Sequence, residues 1–442
     1  MMLKKLFQPI DNAPLIIFRI FLGFLLAAET FGAILTGWVK RVLIDPEFTF
    51  SHIGMEWLQP LPGYGMYFYF CLMGICGILV MLGYKYRLSL GLFTILWTGV
   101  YLMQKSSYNN HYYLLILVCL IMLFLPANRY ASLDVKNNPG IKQNTMPQWC
   151  SAVMILQVSI VYFFATVAKF YPGWLNGSFT KIILSNTEFE IFKNLFTKHY
   201  FHLFIAYSGI AFDMLIIPLL LWKRTRTIAF LAAIFFHIFN AIFLQIGIFP
   251  FFALSFIVFF YPPEKIRSIF FRKKIPVDYS EPTNERKTVL GYFFLPFFII
   301  QLVLPIRHHF IKGDVLWTEE GHRLSWRMML RQRQGYATFR VIDKQTQTEI
   351  PYDYLKRLTP KQQGFVSSNP DGIWQMAQII KKEFTSKGID ISIFVNAEAS
   401  INGGTFKKLI NPGTDMAAAK WDYFFHNEWI LLYDSQGNII KQ

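Results

Sequence analysis

Val167-Ala168-Lys169-Phe170-Tyr171-Pro172-Gly173-Trp174 closes an apolar segment that runs from residue 148 to residue 168. A helix needs about 20 apolar residues to cross the hydrocarbon of a bilayer. A lysine at the end of such a segment is either a cation reaching for the interface or an ionisable group held for chemistry. A second polar run, Tyr108-Asn109-Asn110-His111-Tyr112, opens another apolar segment upstream. How many such segments exist decides the fold, and which of their ends meet decides the chemistry.

The 442 residues are 54% hydrophobic, 18% aromatic and only 16% charged, with a mean hydropathy of +0.34. A soluble globular chain carries about a quarter charged residues, so this is a membrane protein with a less apolar C-terminal part. Its 46 phenylalanines suit lipid-facing and quinone-facing surfaces alike. The four cysteines, Cys71, Cys76, Cys119 and Cys150, all lie in or beside apolar segments. No zinc-type spacing is present, and no metal is expected. The first apolar stretch, Ala13 to about Val39, is too long for a cleavable signal and lacks a cleavage pattern.

Segments near 13–38, 64–83, 88–104, 111–126, 148–168, 201–221, 227–245, 248–262 and 289–306 read as about nine transmembrane helices. Helices are the spanning element because each satisfies its own backbone in lipid. Charge supports the count. With the N-terminus inside, one set of loops holds Lys4, Lys5, Lys85, Arg87, Arg129, Lys136, Lys142, Lys223, Arg224, Arg226 and seven more basic residues between Lys265 and Lys287. The opposite set holds Lys40, Arg41, Lys105, Lys181, Lys193 and Lys198. That is a positive-inside pattern, so the net charge of +16 reflects topology and no nucleic-acid partner is expected. The expectation is a mainly α polytopic membrane bundle over residues 1–306, with residues 307–442 outside as a β-rich extramembrane domain. The parity of the count turns on residues 245–250. In the tail, 338–343 and 391–396 alternate like strands, 373–387 has helical spacing, and 429–433 reads as a last strand.

The same topology puts Asn110, His111 and Lys169 at one depth, in one leaflet. His237 lies in the seventh segment, Asp213 in the sixth, and Arg19 and Glu29 in the first. Each has an ordinary structural reading. Lys169 can snorkel, His111 can sit at the interface, and His237 can be a hydrogen-bonded core histidine. Asp213 can pair with Arg19, and Met328 and Met329 beside Trp326 can simply pack. Taken together they are coherent: a lysine in a dry site can serve as a base, and a quinol is a natural acidic partner within a bilayer. Residue chemistry alone stops at proton transfer in the outer leaflet.

Beyond that, the sequence resembles the vitamin K-dependent gamma-glutamyl carboxylase family. Phe18-Arg19-Ile20-Phe21-Leu22-Gly23-Phe24 resembles its first segment. Ser107-Tyr108-Asn109-Asn110-His111-Tyr112 resembles its tryptophan-asparagine-asparagine-histidine motif, with Tyr108 replacing the tryptophan. Ala127-Asn128-Arg129-Tyr130, Val167-Ala168-Lys169 with Trp174, Phe236-His237 with Asn240, and Ser325-Trp326-Arg327-Met328-Met329 with Arg333 follow in order. Ser400-Ile401-Asn402 and Asn411-Pro412 with Asp415 continue the match. The resemblance implies carboxylation of glutamate side chains coupled to epoxidation of reduced vitamin K or menaquinol, with O2 and CO2 as co-substrates. It implies that Lys169 deprotonates the quinol, that His111 acts near the carboxylation step, and that Asn110 positions quinol or lysine. It also gives His237, Trp326, Met328 and Met329 to the quinol and Arg333 to the substrate. Arg331 stands where the family tends to have histidine, Asn411-Pro412-Gly413 replaces an acidic-proline-arginine run, and the chain is shorter than animal members. The expected setting is a bacterial inner membrane, N-terminus cytoplasmic and tail periplasmic, acting on a glutamate-containing peptide or exported protein. The alternatives are quinol epoxidation or carboxylation of another carbon acid without peptide gamma-carboxylation, and a non-enzymatic quinone-binding membrane protein.

Overall fold

The computed structural model describes residues 5–185, 193–244, 247–277, 287–328, 330–434 and 436–440. Strand β1 (Pro9–Asp11) leads into α1 (Ala13–Leu35), with a proline in its first turn, where a missing N–H leaves no bond unmade. Then come α2 (Gly65–Leu82), α3 (Tyr86–Met103) and α4 (Asn110–Phe124). Strand β2 (Thr145–Pro147) pairs with β1, and α5 (Trp149–Ala168), α6 (His199–Leu221), α7 (Arg226–Leu244), α8 (Phe249–Ser255) and α9 (Leu295–Ile306) follow. An apolar helix thus lies under each expected segment. Among the described residues, six helical segments are long and apolar enough to cross a membrane: α1, α2, α5, α6, α7 through Phe243, and Lys287–Phe310 containing α9. The expected nine is larger by the shorter or less apolar α3, α4 and α8. Gln245 and Ile246 of the parity-deciding turn lie outside the described residues. Gly247 beside them has φ +63°, and α7 and α8 pack on each other.

Small residues and buried polar ties hold the bundle. A Cβ added to Gly23 of α1 would lie 2.2 Å from the Met81 backbone nitrogen of α2, and one on Gly77 would lie 2.6 Å from the Ala27 nitrogen. Such contacts let helix backbones approach where lipid offers no hydrophobic drive. Arg19 is fully buried and donates to the carbonyls of Ala131 (2.6 Å), Ala127 (3.0 Å), Tyr130 (3.3 Å) and Met81 (3.4 Å). It pairs with these carbonyls rather than with Asp213, because the 127–131 turn brings three acceptors to its head and the end of α2 a fourth. At that same end Lys274 pairs with Asp11 and donates to Asn12 at 2.7 Å.

The C-terminal part is α+β rather than simply β-rich. An antiparallel sheet in the order β4-β3-β5-β6 is built on β3 (Arg333–Asp343) and β5 (Ile391–Ile401), paired from Arg333↔Ile401 to Asp343↔Ile391. Its edges are the short β4 (Glu349–Ile350) and β6 (Lys407–Lys408). The expected strands at 338–343 and 391–396 are therefore present and longer. Two helices, α10 (Pro360–Ser368) and α11 (Pro370–Ser386), cover one face of the sheet. Val341, Ile393, Val395 and Ala397 pack there against Val366, Ile373, Met376 and Ile380. The alternation along β3 and β5 supplies the strand period, and the apolar stripe of α11 supplies its complement. Among the described residues the run 429–433 forms only single bridges, Ile410↔Ile430 and Tyr433↔Ile439, because its partners change after one residue.

The two parts interlock. Phe50, from the connection between α1 and α2, sits in the C-terminal core, edge-on to Phe365 at 5.3 Å. Gln362 donates to the Phe48 carbonyl at 2.6 Å, and Gln375 donates to the Ser51 carbonyl at 3.0 Å. Loops assigned by charge to one face, residues 39–63 and 104–110, thus meet the C-terminal part at one end of the bundle. A cleft of about 1040 Å³ lies there between residues 43–63 and α11, and none of the expected site residues lines it.

Candidate functional site

Lys169 directly follows α5 and is 9% exposed. Its ammonium pairs with the Asp213 carboxylate of α6, donates to the Ala165 carbonyl at 3.3 Å, and lies 5.4 Å from the centre of the Trp174 ring. This is a buried, net neutral pair beside an aromatic face, not a cation reaching into water. Seven residues earlier, on the same face of α5, the Tyr162 hydroxyl meets Nε2 of His237 at 3.0 Å. Asp213 is within electrostatic reach of that hydroxyl. The other ring nitrogen of His237, Nδ1, is buried with no hydrogen-bond partner among the described residues.

His111 lies in the first turn of α4 and stacks on Phe249, with ring centres 3.8 Å apart. Phe249 also meets His237 edge-on at 6.1 Å. Polar groups therefore run from Lys169 through Asp213, Tyr162 and His237 to His111, with one phenylalanine between the two histidines. Among the described residues no hydrogen bond joins His111 to Lys169 directly.

The paired asparagines divide their work. Asn109 caps α4, its side chain accepting the N–H groups of His111 (2.7 Å) and Tyr112 (3.1 Å). Such a cap satisfies two of the four free donors at the helix start and leaves Asn110 to face the C-terminal part. There Asn110 accepts from the Tyr108 hydroxyl at 2.9 Å and donates to the Arg327 carbonyl at 3.3 Å. The same hydroxyl accepts the Leu324 N–H at 2.8 Å.

These bonds hold an irregular stretch. Glu319, Leu324 and Trp326 all have positive φ (63°, 62° and 56°) without being glycine. Each such residue costs about 1–3 kcal/mol and persists only where its surroundings over-determine it. Trp326 is fully buried and stacked on Tyr113 at 5.1 Å, and its Nε1 has no partner among the described residues. Met328 packs on the helical core, and Met329 lies outside the described residues. Arg333 is tied up internally: it donates to the carbonyls of Ser368 (2.6 and 2.9 Å), Leu316 (2.6 Å) and Trp317 (2.9 Å) and reaches Glu319 at 3.4 Å. Burial brings its pKa down to about 10. Arg331 forks onto Glu319 and donates to Nε2 of His322 at 2.8 Å. Burial and the surrounding arginines hold His322 well below its ordinary pKa, so it is neutral and free to accept that bond.

Sequence reasoning set Lys169, Asn110 and His111 at one level but missed Asp213 as the lysine's partner, and also Tyr162, Phe249 and the Tyr108 hydroxyl. The seven-residue spacing of Tyr162 and Lys169 carried a usable signal. Asp213 did not, because counting along a helix gives depth only when neighbouring helix ends are level.

A bundle of apolar helices that keeps a chain of buried polar groups between its members, capped by an α+β part fastened to one end, defines a polytopic membrane protein with ionisable residues paired inside its helices. The family model for the HTTM domain matches residues 7–264, and that for the vitamin K-dependent gamma-carboxylase, lumenal domain, matches residues 286–436. No solved structure matches the chain. The chain belongs to the vitamin K-dependent gamma-carboxylase family.

Proposed function

We propose that this protein carboxylates glutamate side chains of a peptide or exported protein in a reaction driven by a reduced naphthoquinone, vitamin K or menaquinol, with O2 and CO2 as co-substrates. The observation that carries the reading is the buried Lys169–Asp213 pair, continued by Tyr162 and His237. A quinol is flat and aromatic with polar edges. Two buried atoms without a partner among the described residues, Nδ1 of His237 and Nε1 of Trp326, fit such a ligand, as do the aromatic faces of Trp174 and Phe249. When bound, the reduced quinone supplies with O2 a base stronger than any side chain, strong enough to remove the γ-proton of glutamate.

The protein's own part is proton handling and positioning. Lys169 and Asp213 together take a proton from a quinol hydroxyl. The carboxylate is the acceptor within the pair, and the ammonium stays beside the oxygen that has lost its proton, so that no uncompensated charge is left in the membrane. His111 acts at the far end of the chain, and Asn110 fastens that end to the lead-in of the C-terminal part. Residues 1–306 form the membrane domain and 307–442 the substrate-facing one, with the N-terminus cytoplasmic and the C-terminal domain periplasmic in a bacterial inner membrane.

The test is epoxide formation together with CO2 fixation on a short glutamyl peptide, wild type against Lys169→Ala. Loss of both in the variant, by at least about a hundredfold, is expected, because the cation that holds the accepting carboxylate and stabilises the deprotonated oxygen is removed. Epoxide without fixed CO2 in the wild type would move the protein to quinol oxidation alone. Neither product would sink the enzymatic reading.

A further inference from the structure

Five arginines crowd the lead-in to the C-terminal part, and four of them are held by a carboxylate or by backbone carbonyls. Arg307 donates to the carbonyls of Leu304 and Arg323. Arg323 meets Asp371 at 2.7 Å. Arg331 forks onto Glu319, and Arg333 is held by three carbonyls and the same carboxylate. Arg327 differs. Among the described residues its guanidinium has no carboxylate within ion-pair distance and no carbonyl acceptor. Among those residues its guanidinium's one hydrogen-bond contact is His308 Nε2 at 3.3 Å, and its buried Nε has no partner. A buried guanidinium N–H left unmade is costly, and a guanidinium fork is shaped for a carboxylate.

Its position adds direction. The Arg327 carbonyl accepts from Asn110, and the adjacent Trp326 and Met328 pack on the membrane helices. Its charge is within electrostatic reach of Tyr171, two residues after Lys169. Glu319 and Asp314 are within the same reach, but Glu319 already holds Arg331 and Arg333. Half-buried Arg327 therefore stands between the Asn110 segment and the Lys169 segment with neither a carboxylate nor a carbonyl on its guanidinium among the described residues.

We propose that Arg327, not Arg333, binds the carboxylate of the substrate's glutamate side chain at this site. The assignment rests on the carboxylase reading above and adds the residue that would recognise the acceptor. A bidentate guanidinium–carboxylate contact would hold the side chain by its far end, next to the segment carrying Asn110 and His111. Free bicarbonate or a peptide C-terminal carboxylate offers the same chemistry, so the probe must separate them.

The experiment uses the full chain in nanodiscs, without quinol, and reads binding of a glutamyl peptide with both termini blocked against its glutaminyl counterpart. The wild type is expected to bind the glutamyl peptide preferentially, with bicarbonate failing to displace it at equal concentration. Arg327→Gln is expected to lose about 10- to 100-fold in that affinity, the usual scale for a charged hydrogen bond, and Arg327→Lys to lose less. In turnover, KM for the peptide should rise while KM for the quinol stays put. Equal binding of the two peptides by the wild type, displacement by bicarbonate, or unchanged binding by a folded Arg327→Gln would overturn the assignment. If Arg327→Gln does not fold, Arg327→Lys with an unchanged peptide affinity does the same. A wild type that binds through Arg327 but fixes no CO2 would instead refute the carboxylase reading alone.

Discussion

At the scale of single residues, the site depends on a charge that never stands alone. A buried pair that loses one member leaves the other uncompensated, at a cost of about 3–5 kcal/mol, whereas replacing both by apolar groups is often near neutral. Lys169→Met and Asp213→Asn should therefore each lower stability, and Lys169→Met/Asp213→Leu should recover most of the loss. Thermal unfolding in nanodiscs, without any quinol, reads this directly. Epoxidation should stay abolished in the double variant, since the proton acceptor is gone. If the double variant is no more stable than either single one, the pair is not the neutral unit described. Legibility at this scale was mixed. Lys169 and His111 announce themselves by their cost in an apolar segment, but nothing in the string ties Asp213 to Lys169 rather than Arg19. The choice is made by the 127–131 turn, whose carbonyls claim Arg19 first.

At the scale of elements, the α1–α2 contact is set by glycine. A side chain at Gly77 would drive a Cβ to within 2.6 Å of the Ala27 backbone nitrogen, and neither helix backbone can yield cheaply. Gly77→Val should lower the unfolding temperature sharply and reduce the yield of monodisperse protein. Gly32→Ala, on the partner helix α1, meets nothing within 4 Å and should be neutral or stabilising by up to about 1 kcal/mol. Similar effects from both would mean that the two helices do not approach as described. Both helices were visible in the hydropathy, but their intimate pairing was not, since a glycine in an apolar run can equally face lipid.

At the scale of the whole molecule, the two parts are coupled through buried charge. Asp371 at the start of α11 meets Lys105 from the α3–α4 turn and Arg323 from the lead-in, each at 2.7 Å. Burial alone would raise the pKa of Asp371, yet the Arg323 and Lys105 charges outweigh it and hold the carboxyl well below its ordinary 3.8. A depressed carboxyl binds its proton more weakly folded than unfolded. Its contribution is therefore complete above the unfolded value and is lost as pH falls through it and on toward the folded one. The melting temperature should be flat near neutral pH in this respect and fall below about pH 4. Asp371→Asn should remove part of that acid dependence and destabilise the protein at pH 7, where Lys105 and Arg323 would be left facing each other. An unchanged acid limb in Asp371→Asn would exclude this coupling.

The sequence by itself determined the solvent of this protein, the position of its apolar helices and the charge asymmetry of their loops. It did so because bilayer length and backbone satisfaction are local demands, readable from about twenty residues at a time. It also marked β3, β5 and α11 by their periods. Only the tertiary structure decided that Asp213 completes Lys169 and that the Tyr108 hydroxyl joins Asn110 to Leu324. It alone placed Phe50 in the core of the other part and used Arg333 internally while leaving Arg327 open. Each of these depends on which of several chemically equivalent partners the packing brings within about 3 Å, and that is settled by helix offsets and loop paths spanning the whole chain.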